Sequence, residues 1–344
     1  PLADFSSDEL FYLPNLAQIS TNGMKQLLSV PASNQSFGLQ AMTEEIHATF
    51  QIESIRSSRN SIRHILNGYA PRNEEESRIY GMKRGLDFIA DRQNAITEEN
   101  LHQLYQISSG DYLPDEDRLL PDHFYRHDHV YVVGGEESRE GLPAQQLPDA
   151  MKRLVDFANA KDGINELHKA AILHLAFAYY HPYFDGNGRT ARLLHLWYLV
   201  QQGYPAALFT PFSRYIAESK AAYYKAYDRV EKNALISGYT DVTPFLSYFC
   251  NEVYNRLQVD VIPPQADLQV YQTALANGKI TEKERLLWEY VLSAYGTEEF
   301  TTKQLEKDFR NAAYATIRTF VMKFHEMGLL AARKAGNRVY YKVR

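Results

Sequence analysis

Cysteine is nearly absent from this sequence. Cys250 is the single one among 344 residues, so no disulfide can form within the chain, and a small fold stapled by cystines is excluded. The usage fits a reducing compartment. Long apolar runs are missing too: the longest, residues 170–180, is interrupted by His174 and falls short of the roughly 20 residues a bilayer-spanning helix needs. Basic charge is in deficit, with 37 Lys and Arg against 42 Asp and Glu, which argues against nucleic-acid binding by the chain as a whole. There is no repeat at solenoid periods and no low-complexity tract. Asp4, Asp8 and Glu9 stand where a secretory leader would be basic and then apolar, so the expectation is a cytoplasmic protein with no membrane partner.

What is present is enough apolar and aromatic material for a sizeable core, in a chain too long for one compact domain. Up to about residue 110 the periodicity is helical. Residues 43–55 place Ile46, Phe50, Ile52 and Ile55 at helical spacing, and 73–91 and 97–108 follow, the last with Thr97 as N-cap. The texture changes between 112 and 147: Val130 to Val133, closed by Gly134-Gly135, predicts a small hairpin over 125–133. A helix is expected over 150–160. The most apolar helices, 165–180 and 189–202, belong at the centre of a domain because they are apolar on nearly all sides. Helices over 213–233 and 242–257 complete this part. Pro263-Pro264 marks a break. Beyond it, helices over 282–293, 303–309 and 312–327 and a hairpin around Gly336-Asn337 have the layout of a winged helix-turn-helix. The expected organisation is mainly α: a helical region over 1–110, a core over 111–258 with its hairpin, a linker over 259–281, and a winged helix over 282–344.

The chemistry concentrates in the stretch from His181 to Arg192, HPYFDGNGRTAR. Pro182 disfavours helical geometry at the preceding residue, so a helix should stop at His181. Gly186, Asn187 and Gly188 then open a long helix, whose first N–H groups form an anion site. Arg189 and Arg192, three residues apart on one face, suit an oligophosphate. Asp185 would repel phosphates unless Mg²⁺ lies between them. His181 is the one base in the loop that is neutral at physiological pH. No Ser or Cys nucleophile accompanies them, so an acceptor would bring its own hydroxyl.

This stretch resembles the signature of Fic-domain proteins, His-Pro-Phe-x-(Asp/Glu)-Gly-Asn-Gly-Arg-x-x-Arg, with Tyr183 at the Phe position. The resemblance implies a Fic-type helical domain and transfer of AMP from ATP to a Ser, Thr or Tyr hydroxyl of a protein target. His181 would be the base and Asp185 would hold Mg²⁺. Gly186, Asn187 and Gly188 would cradle the α- and β-phosphates, and Arg189 and Arg192 would take the β- and γ-phosphates. Gly188 stands where phosphorylating relatives have Lys, which favours nucleotidyl transfer. The resemblance extends over roughly residues 40–250. Tyr125-Arg126 and Val130, Tyr131 and Val132 look like the flap that holds the target by strand addition. Thr49 to Ser54 resembles the inhibitory helix motif (Ser/Thr)-x-x-x-Glu-(Gly/Asn), placing a helix near 43–56 from which Glu53 would pair with Arg192 and displace the γ-phosphate. Ser54 departs from that motif.

The last segment opens a second reading. Residues 301–344 carry ten Lys or Arg against three Asp or Glu, a local charge of +7. Arg318 and Lys323 on the third helix, with Arg333, Lys334, Arg338 and Lys342 on the wing, are what DNA binding needs. A nucleotide-sensing transcription regulator is therefore the alternative to an enzyme, as are removal of AMP at the same site and a winged helix used for homodimer formation.

Overall fold

A computed structural model of the chain describes residues 11–28, 39–132, 139–257, 265–295 and 299–344. Contacts divide the chain into two units, residues 1–30 with 42–258, and residues 31–41 with 259–344.

The first unit is helical. In chain order it holds α1 (Thr21–Leu28), α2 (Leu39–Ile52), α3 (Arg59–Leu66), α4 (Glu74–Ala90), α5 (Glu98–Ser108), α6 (Leu147–Asn159), α7 (Glu166–Tyr180), α8 (Asn187–Gln201), α9 (Phe212–Glu218), α10 (Lys220–Ser237) and α11 (Thr243–Tyr248). Between α5 and α6 lies a short hairpin, β1 (Tyr131–Val132) and β2 (Arg139–Glu140).

The two most apolar helices form the centre. In α7 every residue except Glu166 and Ala178 is buried, and in α8 every residue except Gly188 and Gln201. Two of their histidines find partners inside the core: His174 Nε2 lies 2.7 Å from the Tyr223 hydroxyl and His195 Nε2 lies 2.8 Å from that of Tyr254. Burial lowers both imidazoles, that of His195 to about 3, so they pack as neutral rings. Helix α4 approaches α5 and α8 closely because Gly85 has no side chain; a Cβ there would lie 2.9 Å from Ser108 Cβ and 3.0 Å from Leu193 Cδ1. The helix starts are those the caps predict: Asn73 accepts from Glu76 N, and Thr97 from Asn100 N.

Several expectations need correction. The region 1–110 is not a separate domain; its described residues up to Leu28 and from Met42 onward belong to the same unit as the core. The helix expected near 43–56 ends at Ile52, because Ser54 adopts a left-handed backbone at φ 59° that no helix continues through. Among the described residues, the hairpin expected from 125 has strand pairing at Tyr131 with Glu140 and Val132 with Arg139. Further upstream the backbone bonds elsewhere, Arg126 N donating to Pro182 O over 2.9 Å. The expected Gly134-Gly135 turn lies outside the described residues. The single helix over 213–233 is two, broken at Ser219, and 242–257 passes from α11 into a π-turn (Phe249–Val253) and a 3₁₀ turn (Tyr254–Arg256).

The second unit contains α12 (Gln265–Ala276), α13 (Glu282–Ala294), α14 (Thr302–Phe309), α15 (Tyr314–Glu326), β3 (Leu330–Ala335) and β4 (Arg338–Val343). The order from α13 onward follows the expectation. The segment 259–281 does not: it holds α12, whose Ala274 joins the core of Leu287, Val291, Leu305, Phe320 and Phe324. Nothing in the polar face of α12 signals this docking. The hairpin turns over Gly336-Asn337, with Ala335 opposite Arg338, and Phe300 adds a third short pairing by exchanging both backbone hydrogen bonds with Tyr341 at 2.8 Å.

Candidate functional site

The loop between α7 and α8 is held by its own backbone. His181 caps α7 in the left-handed region at φ 53°, with its N–H on Phe177 O at 3.1 Å. That conformation is uncommon for a residue bearing a Cβ, and Pro182 prevents the helix from running through it. Gly186 is left-handed as well, at φ 81°, and a Cβ there would lie 2.8 Å from Ser109 Cβ, so both backbone and space demand glycine. Asn187 does not present its side chain to a ligand. Its Oδ1 accepts from Tyr183 N at 2.9 Å and its Nδ2 donates to Tyr183 O at 2.8 Å, closing the loop on itself. Tyr183 is fully buried and stacks on Tyr105 with ring centroids 3.5 Å apart.

The structure brings Glu53 to this loop from more than 130 residues away in sequence. Glu53 Oε2 accepts from Arg189 Nε at 2.8 Å, and its Oε1 accepts from Arg192 Nη2. The expected pair with Arg192 is there, and Arg189 shares the same carboxylate. Thr49 completes the arrangement: its hydroxyl accepts from Arg192 Nε at 2.6 Å and its carbonyl from Nη2 at 3.3 Å. This gives a physical reason for each position of the Thr49–Ser54 motif. Thr49 and Glu53, four apart, reach the same guanidinium, and the final position requires the left-handed backbone that Gly and Asn adopt readily. Gly188 lies against the clamp, where a Cβ would meet Glu53 Oε1 at 2.6 Å. Arg189 also donates from Nη2 to Asp185 Oδ2 at 3.1 Å, while Asp185 Oδ1 accepts from Gly186 N.

Part of this set faces one cavity of about 760 Å³, within the range of small-molecule sites, whereas Gly186 and Arg189 are not among the residues that line it. Glu53, His181, Asp185, Asn187, Gly188 and Arg192 line it on one side, and Tyr131 and Val132 of the hairpin on another. Tyr223 and Tyr224 also line it. Val130 supports the hairpin through its carbonyl, which accepts from Gly141 N at 3.0 Å. Tyr131 is 68% exposed, leaving its strand an open edge. His181 Nδ1 lies 3.4 Å from Ala178 O. A carbonyl can only accept, so the ring proton belongs on Nδ1 and Nε2 keeps its lone pair. Burial, reinforced by Arg139 and then by Arg126, lowers His181 to about 4, against the opposing pull of Ala178 O and Asp185. The ring is neutral at pH 7 and able to take a proton. Among the described residues no group of three or more His, Cys, Asp and Glu is arranged to hold a metal by protein ligands alone.

Sequence reasoning missed Arg139 and Glu45, and gave Arg126 no role beyond its place in the flap. Arg126 and Arg139 donate to backbone carbonyls around the end of α7, a pairing that no spacing rule reports. Glu45 is buried on α2 and accepts from both N–H and hydroxyl of Ser213, anchoring the helix that leads to Glu53; burial raises its carboxyl despite these bonds. A charged residue on the apolar face of a predicted helix was the available signal. The basic surface of the second unit is smaller than expected. Lys323 donates 2.6 Å to Lys279 O and pairs with Glu284 at 2.7 Å, so it braces the unit instead of facing outward. Arg333 pairs with Glu299.

Comparison with known proteins agrees with this geometry. The Fic/DOC family pattern matches residues 95–199. A protein adenylyltransferase Fic of Drosophila willistoni is 29% identical over 140 residues, covering 39% of this chain and 26% of that protein. A probable protein adenylyltransferase of Aquifex aeolicus is 29% identical over 138 residues, covering 39% of this chain and 42% of that protein. The chain thus spans less than half of these curated relatives. In fold it is similar to the crystal structure of a Fic family protein from Desulfovibrio desulfuricans, with a TM-score of 0.54 at 17% identity over 89% of this chain and 86% of that one. A Fic domain-containing signalling protein from Bacteroides thetaiotaomicron gives 0.52 at 19% identity over 70% and 89%. No helix among the described residues is long and apolar enough to cross a membrane. Through residues 95–199, this chain carries a Fic/DOC family domain.

Proposed function

We propose that the chain is a protein adenylyltransferase that transfers AMP from ATP to a hydroxyl side chain of a protein target, and that Glu53 inhibits it. The observation that carries this reading is the convergence of His181, Asp185, Gly188 and Arg192 on one cavity. The names of the relatives support it.

In this mechanism the triphosphate seats on the N-terminus of α8, with Arg189 and Arg192 neutralising its outer phosphates. The target segment adds to the open edge of β1 beside Tyr131 and Val132. His181 Nε2 takes the hydroxyl proton as the target oxygen attacks the α-phosphorus. The bond from that phosphorus to the bridging oxygen breaks, and pyrophosphate leaves. Asp185 is the residue to hold Mg²⁺: it is a half-exposed carboxylate at the cavity, and Mg²⁺ takes one or two carboxylates with phosphate oxygens and water. The ion would neutralise charge on the leaving phosphates. Bound phosphates also offset Arg139 and Arg126 and raise His181 toward the working pH, where a general base is most effective.

Glu53 opposes all of this. Its two oxygens occupy the same two guanidiniums that the phosphates need, and it adds a negative charge beside them. The test is labelling with ATP carrying the label on either the α- or the γ-phosphate. Glu53→Gly should become labelled, or label lysate proteins, from the α-position; wild type should be nearly silent, and His181→Ala added to Glu53→Gly should abolish the signal. Label arriving from the γ-position would mean kinase chemistry, and none from either position in Glu53→Gly would end the adenylyltransferase reading.

A further inference from the structure

The C-terminal end of α7 is a dense assembly of backbone acceptors, and the residues flanking the hairpin satisfy them. Arg139, on β2, donates from Nη1 to Tyr179 O at 3.0 Å and from Nη2 to Ala178 O at 3.1 Å, with its guanidinium 4.2 Å from the centre of the Tyr179 ring. Leu142 N reaches Tyr180 O at 3.2 Å. Arg126, on the other side of the hairpin, donates from Nε to His181 O at 2.7 Å and from Nη1 to Asp128 O at 2.6 Å, and its Nη2 binds Leu142 O. The last carbonyls of a helix carry partial negative charge and lack partners within the helix. Here two arginines occupy that end. Arg126 is 2% exposed, and its hydrogen bonds to His181, Asp128 and Leu142 all go to carbonyls.

One acceptor is shared. Ala178 O receives Arg139 Nη2 and also faces His181 Nδ1. We infer that Arg139 is a positioning residue for the general base: it fixes the Ala178 carbonyl that orients the His181 ring, and so ties the ring's geometry to the strand of the hairpin that pairs with β1. This rests on the adenylyltransferase reading only for its kinetic consequence; the structural claim concerns His181 itself.

Arg139 lines the cavity, so a direct phosphate contact is the competing role. The two differ in what they predict. A phosphate ligand sets the KM for ATP. A positioning residue sets kcat and the protonation of His181. The charges facing the imidazole are Arg139 from β2, Arg126 from before β1, and Asp185 from the loop, while Glu231 and Asp228 of α10 face Arg139. Removing Arg139 therefore leaves one cation and one carboxylate near the ring. Its proton affinity should rise, since a cation beside an imidazole disfavours the charged form.

The experiment uses the full chain carrying Glu53→Gly, alone and with Arg139→Gln or Arg139→Lys. NMR titration of the His181 ring, identified by the resonance lost in His181→Ala, is followed without nucleotide. Steady-state transfer is measured alongside. With Arg139→Gln, the His181 midpoint should move upward by about one pH unit. The value of kcat should fall about ten-fold, since misplacing a reacting group by an ångström can cost more than that, with KM for ATP changed less than two-fold. Arg139→Lys keeps the charge and loses the fork, so it should retain the midpoint and recover only part of kcat; it also serves if the Gln variant does not fold. An unmoved His181 midpoint in Arg139→Gln, or a raised KM with unchanged kcat, overturns the inference. If Glu53→Gly transfers nothing, the functional reading falls, and the ring tautomer of His181, read from its nitrogen shifts in the same spectra, still decides the role of Arg139: an Nδ1-protonated ring unchanged in both Arg139→Gln and Arg139→Lys overturns it.

Discussion

Arg192 in the first unit and Lys323 in the second are both helix cations, and both reach a carboxylate through a partly buried pair. Arg192 meets Glu53 from 139 residues away, and Lys323 meets Glu284 from 39. Their surroundings differ. Glu284 is the N3 residue of a capping box, already accepting from Thr281. Glu53 lies past the end of its helix, holds two arginines at once and lines a cavity that admits a ligand. The carboxylate in the second unit is also bound to the start of its own helix, through the N–H and hydroxyl of Thr281. Under the proposed function, the clamp in the first would trade its carboxylate for phosphates without leaving a buried guanidinium bare. Similar ion pairs would then be a brace in one place and a removable plug in the other.

The largest effect should come from the base. In the Glu53→Gly background, His181→Ala should lower transfer by about 10²–10⁴-fold, the usual worth of general acid–base catalysis, read as the initial rate of α-label incorporation. No corresponding loss should follow Lys323→Ala in the same background.

Stability then separates plug from brace. Glu53→Gln and Glu284→Gln should each destabilise the protein, the first by about 3 kcal/mol because it leaves buried guanidiniums without their counter-charge, measured by denaturant unfolding. ATP with Mg²⁺ should restore stability to Glu53→Gln, by about 2.7 kcal/mol at a hundred times its Kd, and leave Glu284→Gln unchanged. Equal rescue of both, or of neither, would erase the distinction drawn here.

Acid should release the brace. Burial alone would raise the Glu284 carboxyl, but hydrogen bonds from Lys323 and Thr281 outweigh it and hold the group below its ordinary range. A carboxyl depressed in the folded state contributes stability that is complete above its unfolded value, about 4.3, and is lost as pH falls through the lower folded value. Melting of the second unit should therefore steepen its decline below about pH 4, and Lys323→Ala should flatten that decline.

The smallest effect probes the space under the clamp. Gly188→Ala places a Cβ 2.6 Å from Glu53 Oε1. It should destabilise wild type by about 1–3 kcal/mol, the usual scale of overpacking, and cost clearly less in Glu53→Gly. A double-mutant cycle reads the coupling.

Much was legible because it is written in local rules. Caps at Asn73, Thr97 and Thr301 start helices where the side-chain oxygen finds its N–H. The apolar-all-round pattern placed α7 and α8 at the centre, and the Pro182, Gly186 and Gly188 spacing located the loop between them. The amphipathic hairpin around Gly336-Asn337 needed only a two-residue turn. The contact of Arg126 N with Pro182 O, the docking of α12 and the inward turn of Lys323 were not legible, because each depends on a partner outside the local pattern.

The amino-acid order by itself thus determined where chain segments bend, which faces are apolar and which residues carry transferable charge or protons. Only the tertiary structure decided that Arg189 and Arg192 share one carboxylate, that Asn187 binds its own loop, and that Arg139 reaches the carbonyl beside His181. Backbone conformation is set by neighbours within a few residues, whereas a buried charge is balanced by whichever partner the fold brings within about 3 Å, and sequence distance does not limit that choice.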